Sequence, residues 1–165
     1  MSGWRRRRWV PVAAAAACAL GVAGLGAAVT DLSPWYYSLR QPSWKPSDLW
    51  FGPVWSLIFS LAALAGLLAW RRAARGSERI RVLGLFTLNA VLNVGWSLLF
   101  FRLHRPDWAF AEVIFLWLAI VLLMAGLAPL SRTTVWLLGP YLLWVTFAAV
   151  LNLAVVRLNS PFHGG

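Results

Sequence analysis

Two stripes of amide and aromatic side chains repeat at helical spacing in the second half of the chain. The first has members four, three and four residues apart: Asn89, Asn93, Trp96 and Phe100. The second has members three, four and four residues apart: Tyr141, Trp144, Ala148 and Asn152. Side chains at these intervals share one face of a helix. Together with Trp55 and Phe59, one turn apart, they could line an aromatic cavity with amide donors, suited to a flat apolar ligand with polar edges.

Helix packing explains the same residues without a ligand. Asparagines in membrane helices often hydrogen-bond a neighbouring helix, at about 0.6 to 2 kcal/mol per bond. Spacing alone leaves both interpretations open, and a third hypothesis is a structural membrane subunit that binds nothing. Glu112 is a further polar group in an apolar segment, and we expect it to bond the backbone, to pair with Arg102 or Arg105, or to relay protons.

The elements that position these stripes must lie in a lipid bilayer. Hydrophobic residues make up 61% of the 165-residue chain and charged residues 12%, whereas soluble domains carry about 25% charged residues. The chain has twelve tryptophans, which suit membrane interfaces. The net charge of +10 would suggest nucleic acid in a soluble protein, but the basic residues flank apolar runs. We therefore exclude nucleic acid as a partner and assign the charge to membrane topology and anionic lipid.

Five segments are long enough to cross a hydrocarbon core, which needs roughly 20 apolar residues. The sequence thus predicts an all-α integral membrane protein, a bundle of five transmembrane helices forming one domain over residues 1–165. The predicted helices cover residues 10–29, 51–70, 82–101, 108–127 and 134–156. Residues 30–50 form the longest loop, and its three prolines and five aromatic residues predict an ordered lid or, alternatively, an interfacial aromatic belt.

The first segment and the basic residues bear on topology. Arg5 to Arg8 before an alanine-rich run also resemble a signal peptide, although the run is long for one. Ten basic residues fall on the N-terminal side of the predicted bundle and five on the other. Because basic residues favour the cytoplasmic side, we expect a cytoplasmic N-terminus, in a bacterial inner membrane. Cys18 is the single cysteine, so no internal disulfide can form.

Four separate motifs resemble the TspO family, which includes bacterial tryptophan-rich sensory proteins and the mitochondrial translocator protein, or peripheral benzodiazepine receptor. The loop and second segment carry Trp35-Tyr36, Pro42-Ser43-Trp44 and Gly52-Pro53-Val54-Trp55. The later segments carry Leu92-Asn93 through Trp96, then Phe100-Phe101, Trp108 with Glu112, and Pro140-Tyr141-Leu142-Leu143-Trp144 with Phe147-Ala148 and Leu151-Asn152. The resemblance spans about residues 10 to 159 in order.

The resemblance implies a five-helix bundle, often a homodimer, that binds tetrapyrroles such as protoporphyrin IX or haem beneath the first loop. Sterol-like and isoquinoline ligands are further expected partners, and no cofactor is required. The implied role is transport, sensing or regulation. The matching pocket positions are Tyr36, Trp55, Asn93, Trp96, Phe100, Trp144, Phe147 and Ala148.

The family also implies an alternative activity, the light- and oxygen-dependent degradation of protoporphyrin IX. If that activity is real, the matching catalytic tryptophans are Trp55 and Trp144. No metal site is expected, because no cluster of metal-ligating residues stands out. The chain departs from the family pattern at Gln41, at Ser47, and at Leu153, which replaces the tyrosine of the sterol motif while Arg157 is kept.

Overall fold

The computed structural model describes residues 3–162, with the side chains of residues 3–10, 12, 14 and 18 left out. The topology argument from Arg5 to Arg8 and the assignment of Cys18 therefore lie outside the described side chains. The described residues form helices and no strand. The helices are α1 (Gly3–Val29), α2 (Pro34–Ser38), α3 (Phe51–Arg72), α4 (Gly76–Ser97), α5 (Pro106–Leu127) and α6 (Arg132–Asn159).

Four helical stretches are long and apolar enough to cross a membrane: Asp48–Arg72, Gly76–Arg102, Pro106–Leu127 and Arg132–Asn159. The first includes the 3-10 turn Asp48–Trp50, and the second includes a π turn at Leu98–Arg102. In α1 the apolar stretch found is Ala15–Val29, which is shorter than the others. The chain is thus an all-helical membrane protein in which four of the five predicted spans meet this requirement.

The ends of the helices follow local chemistry. Prolines occupy the first turns of α2, α3 and α5, where the missing N–H costs nothing. The Glu78 carboxylate caps α4 by accepting from the backbone N–H groups of Ala74 and Arg75, at 2.8 and 3.1 Å. The Ser131 hydroxyl accepts from the N–H of Thr134 at the start of α6. These caps explain why α4 and α6 begin before the apolar segments predicted from hydropathy.

The long helices form a ring in the order α1, α3, α6, α5, α4, in which each packs against its two neighbours. The most extensive packing joins α5 to α6 and α4 to α5. Helix α5 supplies much of the core, with Val113, Leu116, Ile120 and Leu123 almost fully buried. Helix α1 is more exposed, and nothing in the described structure lies within 4 Å of a Cβ placed on Gly21 or Gly24. The main hydrophobic core therefore lies among α3, α4, α5 and α6.

Residues 30–50, called the lid segment below, are more regular than the loop expected from the sequence. They contain the helix α2 and the 3-10 turn before α3. Tyr36 on α2 and Leu39 after it are buried. The lid segment therefore belongs to the packed structure at the end of the bundle where α6 finishes.

Candidate ligand-binding site

An inner group of aromatic rings joins α3 and α6. Trp55 stacks on Phe59 one turn along α3, with ring centroids 5.2 Å apart. The edge of Trp55 meets Tyr141 at 6.1 Å and Trp144 at 6.4 Å. These contacts exist because α3 and α6 are neighbours in the ring, so the aromatic faces of two sequence-distant helices meet.

The lid segment and the start of α3 complete the inner group. Trp44 packs edge-on against Phe147 at 5.9 Å, and Phe147 lies 5.3 Å from Trp144. Phe51, the first residue of α3, meets Trp144 at 5.6 Å. Edge-to-face and offset contacts at these distances each contribute about 0.5–1.5 kcal/mol beyond burial. Trp144 is thus surrounded by rings from the lid segment, α3 and its own helix.

An outer group of rings joins α2 to the end of α4. Phe100 stacks on Trp96 at 5.3 Å and meets Trp35 edge-on at 6.2 Å. Phe101 lies 5.8 Å from Tyr36. The π turn at Leu98–Arg102 carries both phenylalanines toward α2. Trp35 also stacks on His104, 4.1 Å away, in the turn before α5.

Buried amides link the two groups across the bundle. Asn93 Nδ2 donates to the Tyr141 hydroxyl, which donates in turn to Asn89 Oδ1, both at 3.1 Å. Trp96 Nε1 donates to Asn152 Oδ1 at 3.1 Å, and Asn152 Nδ2 donates to the Pro106 carbonyl at 2.9 Å. Some residues of each stripe therefore hydrogen-bond a neighbouring helix, as the packing interpretation of the sequence predicts.

Several buried polar groups nevertheless have no partner among the described residues. They include Asn89 Nδ2, Trp144 Nε1 and both carboxyl oxygens of Glu112. The backbone bond and the pairing with Arg102 or Arg105 expected for Glu112 are both wrong, because neither of its carboxyl oxygens has a partner in the described structure and Arg105 binds Asp107. A buried donor without a partner costs about 1–3 kcal/mol. Trp144 Nε1 and Asn89 Nδ2 are therefore available donors inside the bundle, suited to a ligand with acceptor groups.

Two sets of polar contacts order the lid segment, one within it and one to the end of α6. The Tyr36 hydroxyl donates to Asp48 Oδ1 at 2.7 Å, and the Lys45 ammonium pairs with the same oxygen. Burial, together with the neighbouring Asp48 carboxylate, raises the pKa of Tyr36 above its usual range, so the phenol stays a donor. Asn159, the last residue of α6, accepts from the Arg40 N–H at 2.8 Å and donates to the Arg40 carbonyl at 2.9 Å.

The structure divides the predicted site residues between the two groups. Trp55, Trp144 and Phe147 lie in the inner group, and Tyr36, Trp96 and Phe100 in the outer one. Asn93 lies on the amide link, and Ala148 is partly buried beside Phe147.

The list from the sequence omitted several residues that contact this site. They are Trp44, Phe51, Phe101, Tyr141, Asp48 and Asn159. Tyr141 stood in the second stripe, so its spacing was a usable signal. Trp44 and Phe101 stood in the motifs that carry the family resemblance, whereas Phe51, Asp48 and Asn159 follow from chain folding and no local pattern marks them. Within the part of the chain that the structure describes, no group of three His, Cys, Asp or Glu side chains is placed to hold a metal ion.

Comparison with known proteins points to one family. The model of the TspO/MBR family matches residues 13–158. The chain is 39% identical to the tryptophan-rich protein TspO of Chlorobaculum tepidum, over 76% of this chain and 80% of that protein. It is 33% identical to the human translocator protein, over 79% and 78% of the two chains. It is 31% identical to protein CrtK of Rhodobacter capsulatus, over 87% and 88%.

Proposed function

Because the chain belongs to the TspO/MBR family, we propose that it is a tetrapyrrole-binding membrane protein with a transport, sensing or regulatory role. The ligand, protoporphyrin IX or haem, would lie among the inner aromatic group and beneath the lid segment. The observation that carries this proposal is the buried, unpartnered Nε1 of Trp144 within a cluster of aromatic rings.

The chemistry of the lining supports a flat, conjugated ligand with polar edges. Aromatic side chains offer faces and edges for a macrocycle, and the inner group presents several rings around Trp144. Trp144 Nε1 and Asn89 Nδ2 offer hydrogen-bond donors that the described residues leave unused. Carboxylate or carbonyl groups on the ligand would satisfy them, since pockets fix orientation with a few polar groups in an apolar lining.

The wider architecture is part of the same proposal. We infer a single domain of five spanning helices, in which α1 supplies the fifth span, with a cytoplasmic N-terminus in a bacterial inner membrane. The arginine-rich turn between α3 and α4 would then face the cytoplasm, as the excess of basic residues there favours. A homodimer is the expected assembly, and sterol-like or isoquinoline molecules are further candidate ligands.

The proposal is tested by titrating the purified protein with protoporphyrin IX in the dark and following tryptophan fluorescence. We expect saturable quenching near one ligand per chain. Trp144→Ala should weaken binding at least tenfold, about 1.4 kcal/mol, because it removes both ring contacts and the donor.

Trp136→Ala is the matched control, since Trp136 lies on the same helix and is 82% exposed. Its affinity should equal that of the unsubstituted protein. Quenching that rises linearly without saturation, or an equal loss in both variants, would contradict a pocket at Trp144 and favour a structural subunit that binds no ligand.

Porphyrin degradation is a second candidate, favoured by the edge contact between the indoles of Trp55 and Trp144. Two adjacent oxidisable rings in one site suit a reaction driven by light and oxygen. Illumination of the complex in air should then give an absorbing product in excess of the protein. Product limited to one equivalent would indicate photochemical damage to the binding protein.

A further inference from the structure

One end of the bundle carries a large excess of positive charge among the residues that the structure describes. The turns α3–α4 and α5–α6 present six exposed arginines: Arg71, Arg72, Arg75, Arg79, Arg81 and Arg132. Glu78 is the one acidic residue that the structure describes at this end, and its carboxylate is used by two backbone N–H groups. At the opposite end, by contrast, Asp48 and Asp107 form ion pairs with neighbouring basic residues.

Three of these arginines, on three different helices, lie beside the α5–α6 turn. Arg72, which ends α3, donates from Nη1 to the Leu130 carbonyl at 3.5 Å. Arg132 begins α6 two residues after Leu130. The stem of Arg81 on α4 lies over the last turn of α5, where a Cβ added to Gly126 would come 4.0 Å from Arg81 Cδ. Arg72, Arg81 and Arg132 are called the arginine cluster below.

The arginine cluster lies where a lipid headgroup would be. Arg72 and Arg132 are the terminal residues of two candidate membrane spans, which places them at the boundary between hydrocarbon and water. On the face of α4 that carries Arg81, Leu85 lies one turn further along and is partly buried, and Leu88 lies two turns along and is 42% exposed. Positive charge at the interface therefore continues directly into an apolar surface along the helix, as a phospholipid with a charged head and acyl chains requires.

We propose that the arginine cluster binds the phosphate headgroup of an anionic membrane phospholipid, whose acyl chains run along α4 past Leu88. Guanidinium groups bind phosphate oxygens in pairs and with defined geometry, and basic pockets between helix ends recognise anionic headgroups. A topology signal needs only an excess of basic residues in short loops. It does not require arginines of three helices to meet at one turn.

The test is native mass spectrometry of the full chain in dodecyl maltoside, titrated with dioleoyl phosphatidylglycerol or, for comparison, dioleoyl phosphatidylcholine. Phosphatidylglycerol should be retained in preference. A hydrogen bond from a guanidinium group to a charged phosphate contributes about tenfold or more to the affinity, so Arg81→Gln/Arg132→Gln should weaken phosphatidylglycerol binding about 100-fold or more. The control Arg71→Gln/Arg75→Gln removes the same charge from the same end, outside the cluster, and should weaken binding no more than about 25-fold, which is the fivefold per arginine that general surface charge contributes.

Three results would overturn the proposal. An equal loss of phosphatidylglycerol affinity in the two double variants would mean that general positive charge, and no specific site, binds the lipid. Equal retention of the two lipids would remove the headgroup preference. The third result concerns inorganic phosphate. If it raises the thermal midpoint as much as phosphatidylglycerol does, and if Arg81→Gln/Arg132→Gln abolishes that rise, the natural ligand is a soluble anion.

A conservative variant covers the case in which the glutamine variant fails to fold. Arg81→Lys/Arg132→Lys keeps the charge but loses the paired geometry of guanidinium. It should bind phosphatidylglycerol about fivefold more weakly than the unsubstituted protein, and unchanged binding would refute an arginine-specific site.

Discussion

The contact between Asn159 and Arg40 gives the most direct test of how the lid segment is held. Asn159 accepts a hydrogen bond from the Arg40 N–H and donates one to the Arg40 carbonyl, at 2.8 and 2.9 Å. Its Nδ2 also donates to the Val155 carbonyl on α6 at 2.8 Å. One amide side chain therefore joins the end of α6 to both backbone groups of a single lid residue.

Replacing Asn159 by Ala removes both bonds to the lid segment. A typical hydrogen bond contributes about 0.5–1.5 kcal/mol net, so the loss is about 1–3 kcal/mol. These bonds are exposed, which favours the lower part of that range. A change of 1 kcal/mol multiplies the open fraction about fivefold, and 3 kcal/mol multiplies it about 150-fold.

Amide hydrogen exchange followed by mass spectrometry measures this opening without any ligand. Peptides covering residues 39–47 should exchange about 5- to 30-fold faster in Asn159→Ala, while peptides from α5 should not change. Asn159→Asp keeps the acceptor but loses the donor, so it should fall between the two proteins.

Ser160→Ala is the matched control, because it lies next to Asn159 and keeps the backbone N–H of residue 160, which donates to the Val156 carbonyl. Unchanged exchange in Asn159→Ala would refute this reasoning. It would indicate that aromatic packing, such as the contact of Trp44 with Phe147, holds the lid segment by itself.

Three further substitutions test the interior. Tyr141→Phe removes the hydroxyl that bonds two buried asparagines and should lower stability by about 1–3 kcal/mol, seen as a lower thermal midpoint in detergent; an unchanged midpoint would mean that water replaces the hydroxyl. Trp144→Phe removes an unpartnered buried N–H, so we expect unchanged or higher stability but several-fold weaker protoporphyrin IX binding; full affinity would exclude that N–H as a ligand contact. Gly126→Ala places a Cβ 2.6 Å from Leu85 Cδ1, whereas one on Gly84 meets nothing within 4 Å. Gly126→Ala should therefore be less stable than Gly84→Ala by about 0.5–1.5 kcal/mol, the cost of turning Leu85 off its rotamer, and equal midpoints would mean that the leucine moves aside freely.

The two interpretations of the polar stripes turn out to be compatible. Asn93 and Asn152 are engaged in bonds between helices, as the packing interpretation predicts. Asn89 is only half satisfied, because its Oδ1 accepts from Tyr141 while its Nδ2 has no partner among the described residues. The same stripe thus stabilises the bundle and leaves a donor inside it. This combination is what a ligand site embedded in a helix bundle requires.

Most helix positions could be predicted from the sequence. The expected span 51–70 lies within Phe51–Arg72, and 108–127 lies within Pro106–Leu127. Helix α4 begins at Gly76, earlier than expected. Hydropathy marks only the part of a helix that lies in lipid, whereas the polar first turn of α4 is helical because the Glu78 side chain caps it. The helix α2 was also missed, since five residues carry too little periodicity to separate a short helix from a loop.

The sequence by itself determined that this protein lies in a lipid membrane. It also determined the positions of the long helices and the helix faces that carry amide and aromatic side chains. Those properties depend on hydropathy and on the 3.6-residue repeat, which are local. The tertiary structure decided that Trp55 meets Trp144, that Arg40 meets Asn159 across 119 residues, and that Trp144 Nε1 is left without a partner. Such contacts depend on which helices become neighbours and on the space left between their side chains. They are set by the packing of the whole bundle and by no single segment.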